Sequence, residues 1–88
     1  MERARHDNAW LMNLSDCMPG ITVRVLKVNP QHLISMRLME LGFLEGATVE
    51  VLHEAPFSKD PMAVRVRGSL IALRRSEASL IAVEKVGP

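Results

Sequence analysis

The chain has 88 residues, which suits one compact domain. Apolar residues make up 48 % of it and charged residues 24 %, a balance that excludes a disordered chain, whereas 3 % aromatics requires an aliphatic and methionine-rich core. With 11 basic and 10 acidic side chains the formal charge is +1, so no overall field attracts nucleic acid or anionic lipid.

A single cysteine, Cys17, excludes an internal disulfide framework and is typical of a reducing compartment. We expect Cys17 to act as a small buried hydrophobe, because no second cysteine or histidine lies beside it. No apolar run approaches the roughly 20 residues that cross a bilayer, and the N-terminus lacks the apolar segment of a signal peptide. These features predict a cytoplasmic protein without direct membrane insertion.

Residues 1–13 are predicted to form an extension in front of a domain that comprises residues 14–88. The extension is polar except for Trp10 and its neighbours Leu11 and Met12. One interpretation is a frayed tail with Trp10 on the domain surface. The alternative is an anchor that docks on a partner or on a second copy.

The first elements of the domain are a single helical turn, a reverse turn and a strand. Ser15 can cap the helical turn, and Pro19-Gly20 is a turn signal. Residues 21–28 alternate apolar and polar side chains, which predicts strand one with one buried face.

From Pro30 the apolar period becomes helical, and residues 31–41 are predicted as a helix that Asn29 caps. The core face of this helix carries Ile34, Leu38 and Leu41, with Leu33 on its flank. The opposite side carries His32, Met36 and Met39. This second apolar side either binds a partner or packs under the N-terminal extension.

Two glycine turns follow the predicted helix. Gly42 can take the left-handed conformation that ends a helix, and Phe43 is expected to fold back on Leu38. Leu44 and Glu45 lie at the exposed part of the next turn, where Gly46 suits a positive φ. Strand two is predicted over residues 48–54.

Residues 55–61 read as a loop with two prolines, and its Phe57 is either a plug over the core or an exposed contact. We favour the plug. Residues 62–68 alternate as strand three, and a two-residue turn at Gly68-Ser69 predicts a hairpin. The predicted partners in this hairpin are Val66 with Ile71, Val64 with Leu73, Arg65 with Ala72 and Arg67 with Leu70.

A short helical turn capped by Ser76 and a last strand over residues 80–86 complete the chain. The predicted class is mainly β with a small helical part. The predicted architecture is a partly open, five-stranded antiparallel SH3-like barrel, with one helix between strands one and two and a short helical turn before strand five.

Residue patterns of catalysis are missing from the sequence, so we predict that the chain is not an enzyme. His6, His32 and His53 are scattered, and no firm metal site or cofactor is predicted. An adventitious Fe²⁺ or Zn²⁺, held weakly by His32 or His53 with help from another molecule, is the alternative left open. Glu50 and Glu54 are expected to oppose Arg65 and Arg67 in a solvated charge ladder.

Ordered motifs along most of the chain resemble the ferrous iron transport protein A (FeoA) family. The longest is the continuous stretch from Leu38 to Val51, which contains Gly42 and Gly46. The others are Leu14-Ser15-Asp16, Pro19-Gly20, Ala55-Pro56, Asp60-Pro61, Val64-Arg65-Val66-Arg67-Gly68 and Leu70-Ile71-Ala72-Leu73-Arg74-Arg75-Ser76-Glu77-Ala78. Cys17, Glu45 and the N-terminal extension depart from the usual family pattern.

The resemblance implies an SH3-like accessory protein, cytoplasmic in bacteria, that works beside the membrane Fe²⁺ transporter FeoB and its GTPase domain. We therefore predict docking on the cytoplasmic region of FeoB, at the inner face of the cell membrane, with regulation of uptake or of the GTPase. The predicted contact residues are Met36, Met39, Leu44, Glu45 and Phe57. Weak self-association into a homodimer is left open.

An alternative function is a metal- or peptide-responsive regulatory module, similar to the C-terminal domain of iron-dependent repressors. The sequence contains no helix that could read DNA, and the charge is near neutral, so nucleic acid is not a predicted partner.

Overall fold

A computed structural model describes residues 11–30 and 33–86. In chain order the elements are β1 (Leu11–Asn13), a 3-10 turn (Leu14–Asp16), β2 (Thr22–Val28), α1 (Ser35–Glu40), β3 (Thr48–Glu54), β4 (Met62–Val66), β5 (Ser69–Leu73), α2 (Arg75–Ala78) and β6 (Ile81–Lys85). The strands form one antiparallel sheet in the order β1-β6-β2-β3-β4-β5. The mainly β, partly open antiparallel architecture with two small helices is confirmed.

The sheet has six strands rather than the five predicted. The additional strand is β1, in which Met12 lies opposite Val83 of β6. Three residues are too few for an alternating pattern to be recognised, and only the pairing with β6 makes them a strand. The two interpretations of Trp10 concern a residue outside the described part of the chain.

Alternate side chains of the strands fill one continuous core, as the period-two patterns predicted. Its fully buried members are Leu14, Cys17, Val23, Val25, Leu38, Phe43, Val49, Val51, Met62, Val64, Val66, Leu73, Ala78, Ile81 and Val83. Aliphatic residues supply most of it, as the low aromatic content predicted. The expected methionine-rich core is wrong, because Met62 is the one methionine among these fully buried residues. Phe43 contributes the largest of these side chains.

The helix α1 begins at Ser35, four residues after the predicted start, and the predicted positions 31 and 32 are not described. Leu38 is fully buried and Ile34 and Leu41 are partly buried, which confirms the predicted core face. Leu33, predicted on the flank of that face, is fully exposed. It precedes the first helical turn, so the helical spacing that assigned its direction does not apply to it.

Gly42 ends the helix with φ +115°, as predicted, and Gly46 has φ +89° in the following turn. A Cβ on Gly42 would also approach Cδ of Arg67 to 3.0 Å. Position 42 therefore needs glycine for its backbone conformation, whereas the exposed Arg67 side chain could shift to make room for a Cβ.

The predicted register of the β4–β5 hairpin is wrong by two residues. Arg67 and Gly68 form the turn, both with positive φ, and Val66 lies opposite Ser69. A type I′ turn needs two residues with positive φ, and the sequence offered only one glycine, so the arginine was not recognised as a turn residue. The shift is an even number, and the buried and exposed faces are therefore as predicted.

The predicted charge ladder is half correct. Nη1 of Arg65 lies 3.4 Å from Oε1 of Glu50, but Glu54 forms its ion pair with Arg75 instead of Arg67. Arg67 lies in the turn just after Val66, which pairs with Val49, whereas Glu54 pairs with Met62 at the other end of β4. The antiparallel pairing therefore keeps Glu54 and Arg67 apart.

The two predicted serine caps are also wrong. Asn13 precedes the 3-10 turn and Arg74 precedes α2. Carboxylates satisfy these termini instead, because Asp16 accepts from the Asn13 amide at 3.2 Å and Glu77 accepts from the Arg74 amide at 2.9 Å.

Cys17 is buried, as predicted, with its Sγ 3.5 Å from Sδ of Met12. The pKa of the Cys17 thiol is raised from 9.0 to about 11. Burial is the largest cause of this higher pKa, the Asp16 carboxylate adds to it, and Arg75 partly offsets both. The thiol is therefore an unreactive core group rather than a nucleophile.

We expect iodoacetamide at pH 8 to alkylate native Cys17 at least about 100-fold more slowly than the urea-unfolded chain, because two pKa units remove that much thiolate. The higher folded pKa also stabilises the native state below pH 9.0, and this contribution is lost as pH rises from 9.0 to about 11. Urea unfolding at several pH values should show this loss, and Cys17→Ala should reduce it. Equal alkylation rates in the two states would contradict the prediction.

Candidate partner-binding surface

Exposed apolar side chains gather on α1 and on the turn after it. Leu33 is 100 % exposed, Met36 65 %, Met39 38 % and Leu44 43 %. We call these four residues, together with Glu45, the α1 face. Met36 and Met39 are three residues apart and so share one side of the helix, away from the buried Leu38.

Main-chain hydrogen bonds hold the turn that carries Leu44 and Glu45. The Phe43 amide donates to the Leu38 carbonyl at 3.1 Å, and the Gly46 amide donates to the Val25 carbonyl of β2 at 2.8 Å. Because Phe43 is also fully buried, the turn is fixed at both ends. A partner would meet a surface whose backbone is largely preorganised.

Charged side chains surround the α1 face. Nη1 of Arg37 lies 3.1 Å from Oε2 of Glu77, which links α1 to α2. Glu40 and Glu45 are exposed and have no ion-pair partner among the described residues. The face therefore has an apolar centre with acidic groups near it, a composition suited to contact with another protein.

Phe57 does not plug the core; its side chain is 99 % exposed. The structure also separates it from the rest of the predicted contact residues. Leu44 precedes β3 and Phe57 follows it, so the seven-residue strand places the two turns about 20 Å apart. The predicted contact residues therefore form two patches rather than one.

Arg75 holds the loop that carries Phe57. Its Nε donates to the Lys59 carbonyl at 2.7 Å, and its main-chain amide donates to Oδ1 of Asp60 at 2.9 Å. The same guanidinium contacts the Ser15 carbonyl and the Glu54 carboxylate. Sequence reasoning missed this cluster, because its members are far apart in the chain and no local pattern connects them.

The described residues contain no group of three or more histidine, cysteine or acidic side chains that could hold a metal ion. His53 is exposed and lies opposite Ala63 of β4. His32, the other weak candidate, is outside the described residues, as is His6.

Within residues 11–30 and 33–86, none of the helices has the length and apolar character needed to span a bilayer.

The partly open antiparallel sheet with two small helices is a small domain of the SH3-like kind, and the described part of it carries an exposed apolar face. The family model described as the FeoA domain matches residues 12–85. The chain belongs to the FeoA family of ferrous iron transport accessory proteins and is not an enzyme.

Comparisons with individual proteins agree with this assignment. A FeoA-like protein from Clostridium acetobutylicum has 29 % identity and a TM-score of 0.83, over 90 % of this chain and 91 % of that one. A zinc complex of Stenotrophomonas maltophilia FeoA, described as a procaryotic SH3 domain protein possibly acting as a ferrous iron transport activating factor, has 36 % identity and a TM-score of 0.70, over 83 % and 89 % of the two chains.

A relative from Porphyromonas gingivalis is described as an Fe(2+) transport protein A/Fe(2+) transporter FeoB fusion protein. It is 32 % identical over 75 residues, which are 85 % of this chain and 9 % of the fusion protein. The chain thus spans less than a tenth of that relative's length.

IdeR of T. acidophilum is similar in structure, with a TM-score of 0.73 and 21 % identity, over 86 % of this chain and 34 % of that one. At this identity the likeness shows the fold alone.

Proposed function

We propose that the chain docks on the cytoplasmic region of a FeoB-type Fe²⁺ transporter and regulates iron uptake or the transporter's GTPase. The fusion protein of P. gingivalis carries this proposal, because there the FeoA segment and FeoB are parts of one polypeptide. Covalent linkage keeps two modules at high effective concentration. A docking surface on this domain would keep it beside FeoB in the same way, and hence at the inner face of the membrane through its partner.

The α1 face is the proposed docking surface. Its exposed side chains, Met36, Met39 and Leu44, are apolar and adaptable in shape, while Leu38 and Phe43 anchor the backbone beneath them. Burying such a face against a partner removes apolar area from water, which favours association. Phe57 lies in the separate patch and is expected to contribute less to this contact.

We expect Met39→Asp and Leu44→Glu each to weaken binding to the purified cytoplasmic region of FeoB at least about tenfold, because each places a charge in an apolar contact. Isothermal titration calorimetry measures the affinity, and Fe²⁺ uptake in cells with the transporter measures the consequence. Met18→Asp is the matched control, since Met18 is 58 % exposed but lies before β2, whereas α1 follows that strand. Its affinity should equal that of the unmodified chain.

Folding of each variant is checked by urea unfolding before binding is measured. If both folded variants bind FeoB and support uptake like the unmodified chain, the α1 face is not the docking surface. If the unmodified chain itself shows no binding to the FeoB cytoplasmic region, the proposed function is wrong.

The zinc complex of the S. maltophilia relative supports a second candidate function, a metal- or peptide-responsive regulatory module. Calorimetric titration with Fe²⁺ and Zn²⁺ separates the two functions. Micromolar metal binding that is lost when His32 and His53 are replaced, without FeoB binding, would favour the regulatory module.

A further inference from the structure

The strand β5 forms a free edge of the sheet. It is last in the strand order, and no described strand pairs with its outer side. The type I′ turn makes Val66 and Ser69 a hydrogen-bonded pair, and such pairs alternate along the hairpin. The main-chain N–H and C=O groups of Leu70 and Ala72 therefore point outward, away from β4.

Beside this edge the outer face of the sheet has a shallow apolar depression of about 300 Å³. Ala63 and Ala72 lie opposite each other in β4 and β5 and contribute small side chains to it. The loop prolines Pro56 and Pro61 also line it, and Leu70 is 65 % exposed on the same strand as Ala72. An added strand could place one apolar side chain here, next to Ala72.

Positive charges bracket the edge, while β5 itself contains no charged residue. Arg67 lies in the turn before β5 and Arg74 directly follows it; both are exposed and have no ion-pair partner among the described residues. A second copy paired antiparallel about Ile71 would place Arg74 beside Gly68 and next to Arg67 of the other copy. These neighbouring arginines repel each other and so disfavour pairing of two copies. Carboxylates of a partner strand at the same positions would instead be attracted to Arg67 and Arg74.

We propose that the free edge of β5 binds an extended segment of a partner protein, with apolar residues at its centre and carboxylates at its ends. The segment adds as a seventh strand, exchanges main-chain hydrogen bonds with Leu70 and Ala72, and places an apolar side chain in the depression. A five-residue edge gives a small interface, at the low end of the range for protein contacts, which suits a transient partner better than a stable dimer. The Arg67 end of this edge lies against Gly42 at the end of α1, but the outward groups of Leu70 and Ala72 belong to β5, and the inference does not depend on the proposed function.

The test uses the full chain and a blocked nine-residue probe peptide, Glu-Glu-Val-Thr-Val-Thr-Val-Glu-Glu. Binding should shift the NMR signals of β5 and slow amide hydrogen exchange at Leu70 and Ala72. A control peptide with lysine in place of each glutamate should bind at least about tenfold more weakly. The double variant Arg67→Glu with Arg74→Glu should reverse this preference.

A backbone variant provides a second readout. Ala72→Pro removes one outward N–H without removing a β4 hydrogen bond, and should abolish probe binding. If the proline variant does not fold, the preference of the Arg67→Glu, Arg74→Glu variant between the two peptides tests the proposal instead.

The proposal is overturned if the probe does not bind at millimolar concentration, if the two peptides bind equally, or if the signal shifts lie on Met36 and Met39 rather than on β5. If sedimentation shows that the chain pairs with itself through β5, the edge binds a second copy of the chain rather than a partner segment, and the proposal is also overturned.

Discussion

Phe43→Ala should lower the free energy of unfolding by about 3–5 kcal/mol, the usual loss when a fully buried aromatic side chain is truncated. Phe43 is the largest fully buried side chain and lies under the turn after α1, so its removal leaves a cavity between helix and sheet. Domains of this size are commonly stable by only about 5–15 kcal/mol, so the variant is measured at low temperature, where more of it is folded. Urea unfolding followed by circular dichroism gives the difference.

Phe57→Ala is the matched control, because it makes the same chemical change at a side chain that is 99 % exposed. Its free energy of unfolding should stay within about 0.5 kcal/mol of the unmodified chain. Similar losses for the two phenylalanines would mean that Phe57 packs on the domain, contrary to the structure.

Arg75→Met should cost about 2–3 kcal/mol of stability. The arginine side chain is 26 % exposed and its Glu54 partner 17 %, so the methionine leaves a partly buried carboxylate without its cation. The same substitution removes the hydrogen bonds to the carbonyls of Ser15 and Lys59. We also expect faster amide hydrogen exchange in residues 55–61, because the loop loses the side-chain bond from Arg75 to the Lys59 carbonyl and keeps only the main-chain bond to Asp60.

Arg65→Met is the control for this prediction. The Arg65 side chain is 52 % exposed and that of its partner Glu50 is 46 % exposed. Such surface ion pairs contribute about 1 kcal/mol or less to the free energy of unfolding. Added salt should also affect the Arg65 pair more than the Arg75 pair, since solvent screens it better. Equal losses for Arg75→Met and Arg65→Met would show that the loop is not held by the Arg75 cluster.

Local patterns predicted most of the strands, and their errors have identifiable causes. The bounds of β3 were correct because its apolar alternation is regular and a glycine turn precedes it. The β4–β5 register was wrong because Arg67, a residue that rarely has positive φ, occupies the turn. The helix α1 was predicted too long because Asn29 and Pro30 are compatible with the start of a helix but do not by themselves fix where it begins.

The candidate surface was predictable only in part. The spacing of Met36 and Met39 indicated an exposed side of the helix, and both are exposed. Phe57 was assigned to the core because it is large and apolar, but a loop residue has no periodicity that states its direction. The free edge of β5 could not be predicted either, since a strand's position in the sheet depends on which other strands pair.

The amino-acid sequence by itself determined the class of fold, the buried face of each strand and the two glycine turns, because alternation and positive φ are properties of neighbouring residues. Only the tertiary structure decided the sixth strand, the hairpin register, the attachment of the loop by Arg75 and the separation of Phe57 from the α1 face. Each of these depends on groups distant in the chain, whose meeting is set by the pairing and packing of the whole sheet.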